Sequence, residues 1–118
     1  MPAKRAVEAF RSRQFNCAQS VLCAFRQEHG VSDERMAEAR GHGGGRAEGG
    51  RCGALHAALQ LTGDAAARDA LRKGFTAKAG SEQCREIRKA KTLTCEQCVQ
   101  LAATLLAERP APTPGSPA

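Results

Sequence analysis

The placement of proline constrains this chain more than any other feature. Its five prolines are Pro2, Pro110, Pro112, Pro114 and Pro117. Residues 3–109 therefore contain none, and no ring there removes a backbone donor or interrupts a helix. The stretch Arg109 to Ala118 reads as an extended, disordered Pro-rich tail, leaving residues 1–108 as a single helical domain. Glycine makes a second division. Seven of the twelve glycines (Gly41, Gly43, Gly44, Gly45, Gly49, Gly50 and Gly53) fall within residues 41–53, which reads as a loop entering a helix.

The segments between these markers carry helical periods. Residues 3–13 place Val7 and Phe10 on one face. Asn16 is a good N-cap for a second helix, with Val21, Leu22 and Phe25 on its apolar stripe and Gly30 at its end. Ser32 opens a weaker helix to about Arg40, and Cys52 to Leu61 forms a compact one rich in small residues. Asp64 caps a helix running to about Ala79. Ser81 opens a short turn around Cys84 and Ile87, and Thr94 caps the last helix, with Cys98, Leu101, Leu105 and Leu106 on its buried face. No segment alternates as a strand would. The expectation is an all-α bundle of about five to seven short helices with a Gly-rich loop.

Composition narrows the function classes. A chain that is 42% apolar and 25% charged is ordinary for a soluble globular protein. It has no apolar run approaching the roughly 18–20 residues of a membrane span. The N-terminal Met-Pro-Ala-Lys-Arg-Ala-Val-Glu starts basic without reaching an apolar signal core, so a cytoplasmic location is expected. The net charge of +6 arises from basic residues interleaved with acids, and the chain has no Trp or Tyr and only four Phe. Base-stacking platforms are thus scarce, and the sequence does not favour nucleic acid as a partner. A nucleic-acid or protein adaptor, in which the basic surface matters and the cysteines are buried, would need salt-sensitive nucleic-acid binding to support it. No Ser/His/Asp or paired-carboxylate constellation supports hydrolysis.

Cysteine is the informative residue. Six cysteines in 118 residues are many for a chain kept in a reducing compartment, where they point to metal, cluster or redox chemistry. Cys17 directly follows the cap Asn16, Cys52 opens a helix after the glycine loop, and Cys95 directly follows the cap Thr94. Cys84 lies three residues past the expected cap Ser81. Unpaired N–H groups and the positive dipole end should stabilise a thiolate at such positions and lower its pKa. Cys23 is about 240° round its helix from Cys17, beside Leu22 and Phe25, and reads as core. Cys98 forms a Cys-x-x-Cys pair with Cys95, a spacing that can chelate a metal or cycle as a dithiol. Its helix stripe continues through Leu101 and Leu105, so Cys98 should serve mainly packing. His56 shares a helix face with Cys52 and is a candidate fifth ligand or proton donor, or a packed histidine. His29 and His42 carry no pattern. In the loop, Gly43–Gly45 and Gly49–Gly50 can take positive φ and form a nest of N–H groups beside Cys52. The loop is neither a P-loop nor a dinucleotide fingerprint.

Asn16-Cys17-Ala-Gln-Ser-Val-Leu, the segment Gly43 to Ala57 with Cys52-Gly53-Ala54-Leu55-His56-Ala57, Cys84-Arg-Glu-Ile and Cys95-Glu-Gln-Cys-Val99 resemble a known pattern. It is that of the small redox-active proteins of the C_GCAxxG_C_C family, and the resemblance covers about residues 5–107. By position, it implies Cys17, Cys52, Cys84 and Cys95 as the family's four cysteines. Ala57 stands for the motif's final glycine, and Cys98 stands where a bulky residue such as tyrosine would be expected. The same framework is similar to a region of split-Soret cytochromes associated with an iron–sulfur centre. No Cys-x-x-Cys-His motif occurs here, so the haem half of that likeness does not transfer. The reading is thus a redox protein, an oxidoreductase or electron carrier with a redox partner protein. Cys17, Cys52, Cys84 and Cys95 would hold an iron–sulfur cluster or act as redox thiols, with Gly44, Gly45, Gly49, Gly50 and Gly53 as loop support and Cys98 or His56 as possible additions. The alternative is a non-redox module in which the same thiols close a structural zinc site.

Overall fold

The computed structural model describes residues 2–45 and 47–108. The tail expected from Arg109 lies outside them. The described residues form eight α-helices and two 3₁₀ segments: α1 (Pro2–Arg11), α2 (Cys17–Ala24), α3 (Arg26–His29), α4 (Asp33–Ala39), 3₁₀ segments Arg40–Gly45 and Glu48–Gly50, α5 (Gly53–Gln60), α6 (Ala65–Ala79), α7 (Cys84–Ala90) and α8 (Cys95–Glu108). The fold is all-α. One segment that reads as a single helix is two. Phe25 sits at φ −110°, ψ 13° and shares its N–H between the carbonyls of Val21 and Leu22, which ends α2 before α3 starts. Gly30 then stops α3 in the left-handed region at φ 61°, where a side chain would be strained.

Helix α8 packs against α1, α2, α5 and α6, while α2 also packs on α1 and α5. The reason is its buried face of Cys98, Val99, Ala102, Ala103 and Leu106, which meets Val21, Leu22, Leu55 and Leu59 in the core. Small residues let the helices approach closely: Ala18, Ala54, Ala57, Ala102 and Ala103 are all fully buried. On α1 the buried residue is Ala6, while Val7 is only half-buried and Phe10 packs at the core's edge. Leu101 and Leu105, expected on the buried face of α8, are likewise only partly covered. No helix of the described residues is long and apolar enough to cross a membrane.

Four caps fall where the side-chain chemistry puts them, Ser32 among them, which accepts from the Arg35 N–H at 3.1 Å. The Asn16 side chain accepts from the Gln19 N–H at 2.8 Å, and the Gln19 side chain accepts from the Asn16 N–H at 3.1 Å, a reciprocal capping box. Thr94 and Gln97 repeat that exchange at α8, with distances of 3.1 and 2.8 Å. Asp64 caps α6 through the Ala67 N–H at 2.9 Å. The residue that precedes α7 is not Ser81 but Gln83, because a long-range pairing sets the start of that helix. Arg51 and Gln83 form an isolated antiparallel bridge, and the Cys52 N–H donates to the Glu82 carbonyl at 2.7 Å. Glu82 in turn accepts from Arg72 at 3.0 and 3.1 Å and lies 3.4 Å from Arg51.

Candidate functional site: a cavity walled by five cysteines

The starts of α2, α5, α7 and α8 place the cysteines. Cys17, Cys84 and Cys95 are each the first residue of a helix, and Cys52 is the N-cap residue of α5. The Asn16 side chain also donates to the carbonyls of Ala39 and Arg40, both at 3.0 Å, which ties the α4 end to the start of α2. The Arg51–Gln83 bridge brings the starts of α5 and α7 together. The result is a cavity of about 180 Å³ lined by Cys17, Cys52, Cys84, Cys95 and Cys98, with Asn16, Phe10, Ile87, Leu93 and Arg88 completing the wall. That volume exceeds the roughly 30 Å³ share of one water several-fold. None of the six cysteines is in a disulfide, and the lining does not include Cys23.

Gly53 explains the glycine that follows Cys52. A Cβ there would lie 2.7 Å from the Cys17 sulfur and 2.7 Å from the His42 carbonyl oxygen. Only glycine lets the start of α5 press against the start of α2. A Cβ on Gly43 would similarly fall 2.9 Å from the Asn16 amide nitrogen. The remaining loop glycines do less than expected. Gly43–Gly45 belong to the 3₁₀ segment Arg40–Gly45 rather than taking positive φ, whereas Gly49 and Gly50 are at φ 66° and 77°. The Gly49 carbonyl accepts from the Gln83 side chain at 2.9 Å, so this turn braces α7. Among the described residues no loop glycine lines the cavity. Hence the loop acts on the site through its contacts with Asn16, Cys17 and Gln83 rather than as a nest of N–H groups in the cavity wall.

Electrostatics also depart from the expectation. Helix-start placement predicts lowered thiol pKa values, yet Cys52 and Cys84 are shifted the other way. A hydrogen bond to Cys98, followed by burial, pushes the Cys52 thiol far up. For Cys84, burial raises the thiol and the nearby Arg88 guanidinium works against it. Desolvation outweighs the helix terminus in both cases. Arg88 is the cationic residue of the wall. Its Nη2 donates to the Cys95 sulfur at 3.8 Å, and its charge also acts on Cys84 and Cys17. Cys95 is half-buried, while the other four wall cysteines are buried.

Cys98, expected mainly to pack, is 3% exposed and yet also part of the cavity wall. His56 is not in the lining; its ring meets the His42 ring edge-on at 4.7 Å, and the His42 Nδ1 is buried without a hydrogen-bond partner among the described residues. His29 packs edge-on against Phe25. Sequence reasoning passed over Arg88, His42 and the apolar wall. Arg88 had a usable signal, since it lies four residues after Cys84 on one helix; the His42–His56 contact joins distant segments and had none. Among the described residues, no group of three or more His, Cys, Asp or Glu side chains is arranged to hold a metal ion.

No curated protein and no solved structure matches the chain. A family model does, over residues 15–109, a span that includes all five wall cysteines. The four framework positions Cys17, Cys52, Cys84 and Cys95 thus lie both in the matched region and around one cavity, and the chain belongs to the family described as "Putative redox-active protein (C_GCAxxG_C_C)".

Proposed function

We propose that the protein is a redox carrier of a reducing, cytoplasmic compartment whose cavity holds an iron–sulfur cluster on Cys17, Cys52, Cys84 and Cys95. The observation that carries this reading is the convergence of four helix starts, remote in sequence, on one thiol-walled space. The donor set fits the group, because four cysteine thiolates are the usual ligands of [2Fe–2S] and [4Fe–4S] centres. The wall fits as well: thiols standing around a space suit a multi-atom cluster better than a single ion, which draws its ligands to one point. When bound, the cluster supplies one-electron transfer. The chain's own residues do the rest. Phe10, Ile87 and Leu93 exclude water, Arg88 offsets negative charge gathered on the thiolates, and the caps of α2 and α8 with the Arg51–Gln83 bridge between α5 and α7 fix the four sulfurs.

Anaerobic purification of the full chain, with an absorbance spectrum and iron, sulfide and zinc analysis, tests this. Visible charge-transfer bands with iron and acid-labile sulfide are expected, and Cys84→Ser should abolish both. Colourless protein with stoichiometric zinc would replace the reading with a structural zinc–thiolate module.

A further inference from the structure

We propose that Cys52 and Cys98 form a dithiol that a small disulfide closes into an intramolecular bond, and that this bond withdraws Cys52 from the four-thiol set. The first part stands on the arrangement of the two thiols; the second rests on the cluster reading above.

Cys98 lies outside the four-cysteine framework, so the cavity has one sulfur more than the framework uses. That sulfur is not remote from the others. Cys52 caps α5, Cys98 sits one turn into α8, and these two helices pack directly on each other. Both side chains are buried, at 4% and 3% exposure, both are free, and both face the same cavity. Interaction with the Cys98 thiol is the leading cause of the upward shift at Cys52. Cys95, the other near neighbour of Cys98 in sequence, is engaged elsewhere, with its sulfur against the Arg88 guanidinium. Cys52 therefore has two alternative fates, a cluster ligand or a partner of Cys98, and its sulfur cannot serve both.

The chemistry balances with a low-molecular-weight disulfide, R–S–S–R, as oxidant. One thiol of the pair, as its thiolate, attacks a sulfur of the oxidant, giving a protein–S–S–R mixed disulfide and releasing R–S⁻. The second thiol passes its proton to R–S⁻ and attacks the protein sulfur of the mixed disulfide, expelling the second R–S⁻, which takes up the proton lost by the first thiol. Two thiols are oxidised by two electrons to one disulfide, and one R–S–S–R is reduced to two R–SH. The cavity is the route by which the oxidant reaches sulfurs that are otherwise buried.

The test uses the reduced, metal-free full chain, treated anaerobically with oxidised glutathione. Remaining thiols are then alkylated and the protein is mapped by peptide mass spectrometry without reduction. The expected product is a peptide linking Cys52 to Cys98 and lacking two hydrogens, with Cys17, Cys84 and Cys95 alkylated. Cys98→Ser and Cys98→Ala, two variants so that one misfolded protein does not decide the matter, should leave Cys52 alkylated after the same treatment. Cys98 found alkylated in the treated native chain, or linked to Cys95, overturns the dithiol. Iron and sulfide reconstitution should be lost in the oxidised protein and return with dithiothreitol; full loading of the Cys52–Cys98-linked protein overturns the withdrawal of Cys52. If the reduced native chain takes up no iron, the cluster reading fails, and the peptide map still decides the dithiol by itself.

Discussion

Substituting Gly53 by alanine tests the packing that brings two of the thiols together. The added Cβ would sit 2.7 Å from the Cys17 sulfur, 2.7 Å from the His42 carbonyl oxygen and 3.3 Å from the Ala18 Cβ. Non-bonded carbon contacts are comfortable at about 3.5–4.0 Å, so two sides of the new methyl are short by most of an ångström. Neither neighbour yields cheaply. One is the backbone of the Arg40–Gly45 segment, and the other is a buried side chain at the first position of α2. Overpacking of this kind costs about 1–3 kcal/mol, against which alanine's helix propensity returns up to ~1 kcal/mol. A net loss of about 1–2 kcal/mol is expected, or roughly 4–8 °C of melting temperature for a chain of this size.

Two other glycines serve as controls. At Gly74, inside α6, a Cβ would meet only the ends of the Leu105 side chain, at 3.3 and 3.6 Å. There the propensity gain should prevail, and Gly74→Ala should be stabilised by about 0.5 kcal/mol. A Cβ on Gly63 would meet nothing within 4 Å, so Gly63→Ala should stay within about 0.5 kcal/mol of the native chain. Urea denaturation of the reduced protein, followed by helical circular dichroism, ranks the three. Gly53→Ala as stable as Gly74→Ala would refute the argument that glycine is required for close approach of α5 to α2.

Asn16→Ala loses one cap bond and strips donors from the Ala39 and Arg40 carbonyls; it should cost about 2 kcal/mol in urea denaturation, and Asn16→Ser, which keeps only the cap, should recover about half. The exposed Arg11 guanidinium holds the Glu96 carboxyl below its usual range through a paired hydrogen bond. A depressed folded-state pKa gives stability above the unfolded value and loses it as pH falls, so melting temperatures from pH 6 down to pH 3 should drop less steeply in Glu96→Gln. Arg88→Gln removes the charge that opposes the upward shift of Cys84, so the midpoint pH for Cys84 alkylation should rise in the variant; an unchanged midpoint would remove Arg88 from the electrostatics of the site.

How much of this was legible in the chain depends on the range of the interaction. Asn16, Asp64 and Thr94 were readable as caps because a cap is a contact between residues three apart, and the helical periods of the proline-free stretch, with no alternating segment, pointed to an all-α fold. Cys17 and Cys95 at helix starts followed from two of those caps, and Cys52 from the end of the glycine loop. The break at Phe25 was hidden, since its apolar period continues through it. The cap at Gln83 was hidden for a different reason: Ser81 has the better local chemistry, and its hydroxyl does accept from the Gln83 N–H at 3.0 Å, but the pairing with Arg51 decides where α7 begins. The glycine loop was read as a nest from its composition, while contacts with Asn16 and Cys17 determine which glycines matter. The sign of the thiol shifts required knowing burial. A helix terminus is visible in a sequence, whereas the desolvation that opposes it belongs to the packed cavity.

That opposition explains why the same arrangement can hold a reduced site quietly. Four helix termini aimed at one space would, in an open cleft, favour four thiolates at once. Interaction with Cys98 and then burial push the Cys52 thiol up instead, and burial does the same to Cys84. A bound cationic centre would offset the charge of all four framework thiolates, and Arg88, which donates to the Cys95 sulfur, works against the shift at Cys84. Cys98 offers Cys52 another outlet that needs no cation, because a disulfide is neutral. Under the two proposals, the same packing would give Cys52 two neutralised states, with the surrounding redox poise selecting between them.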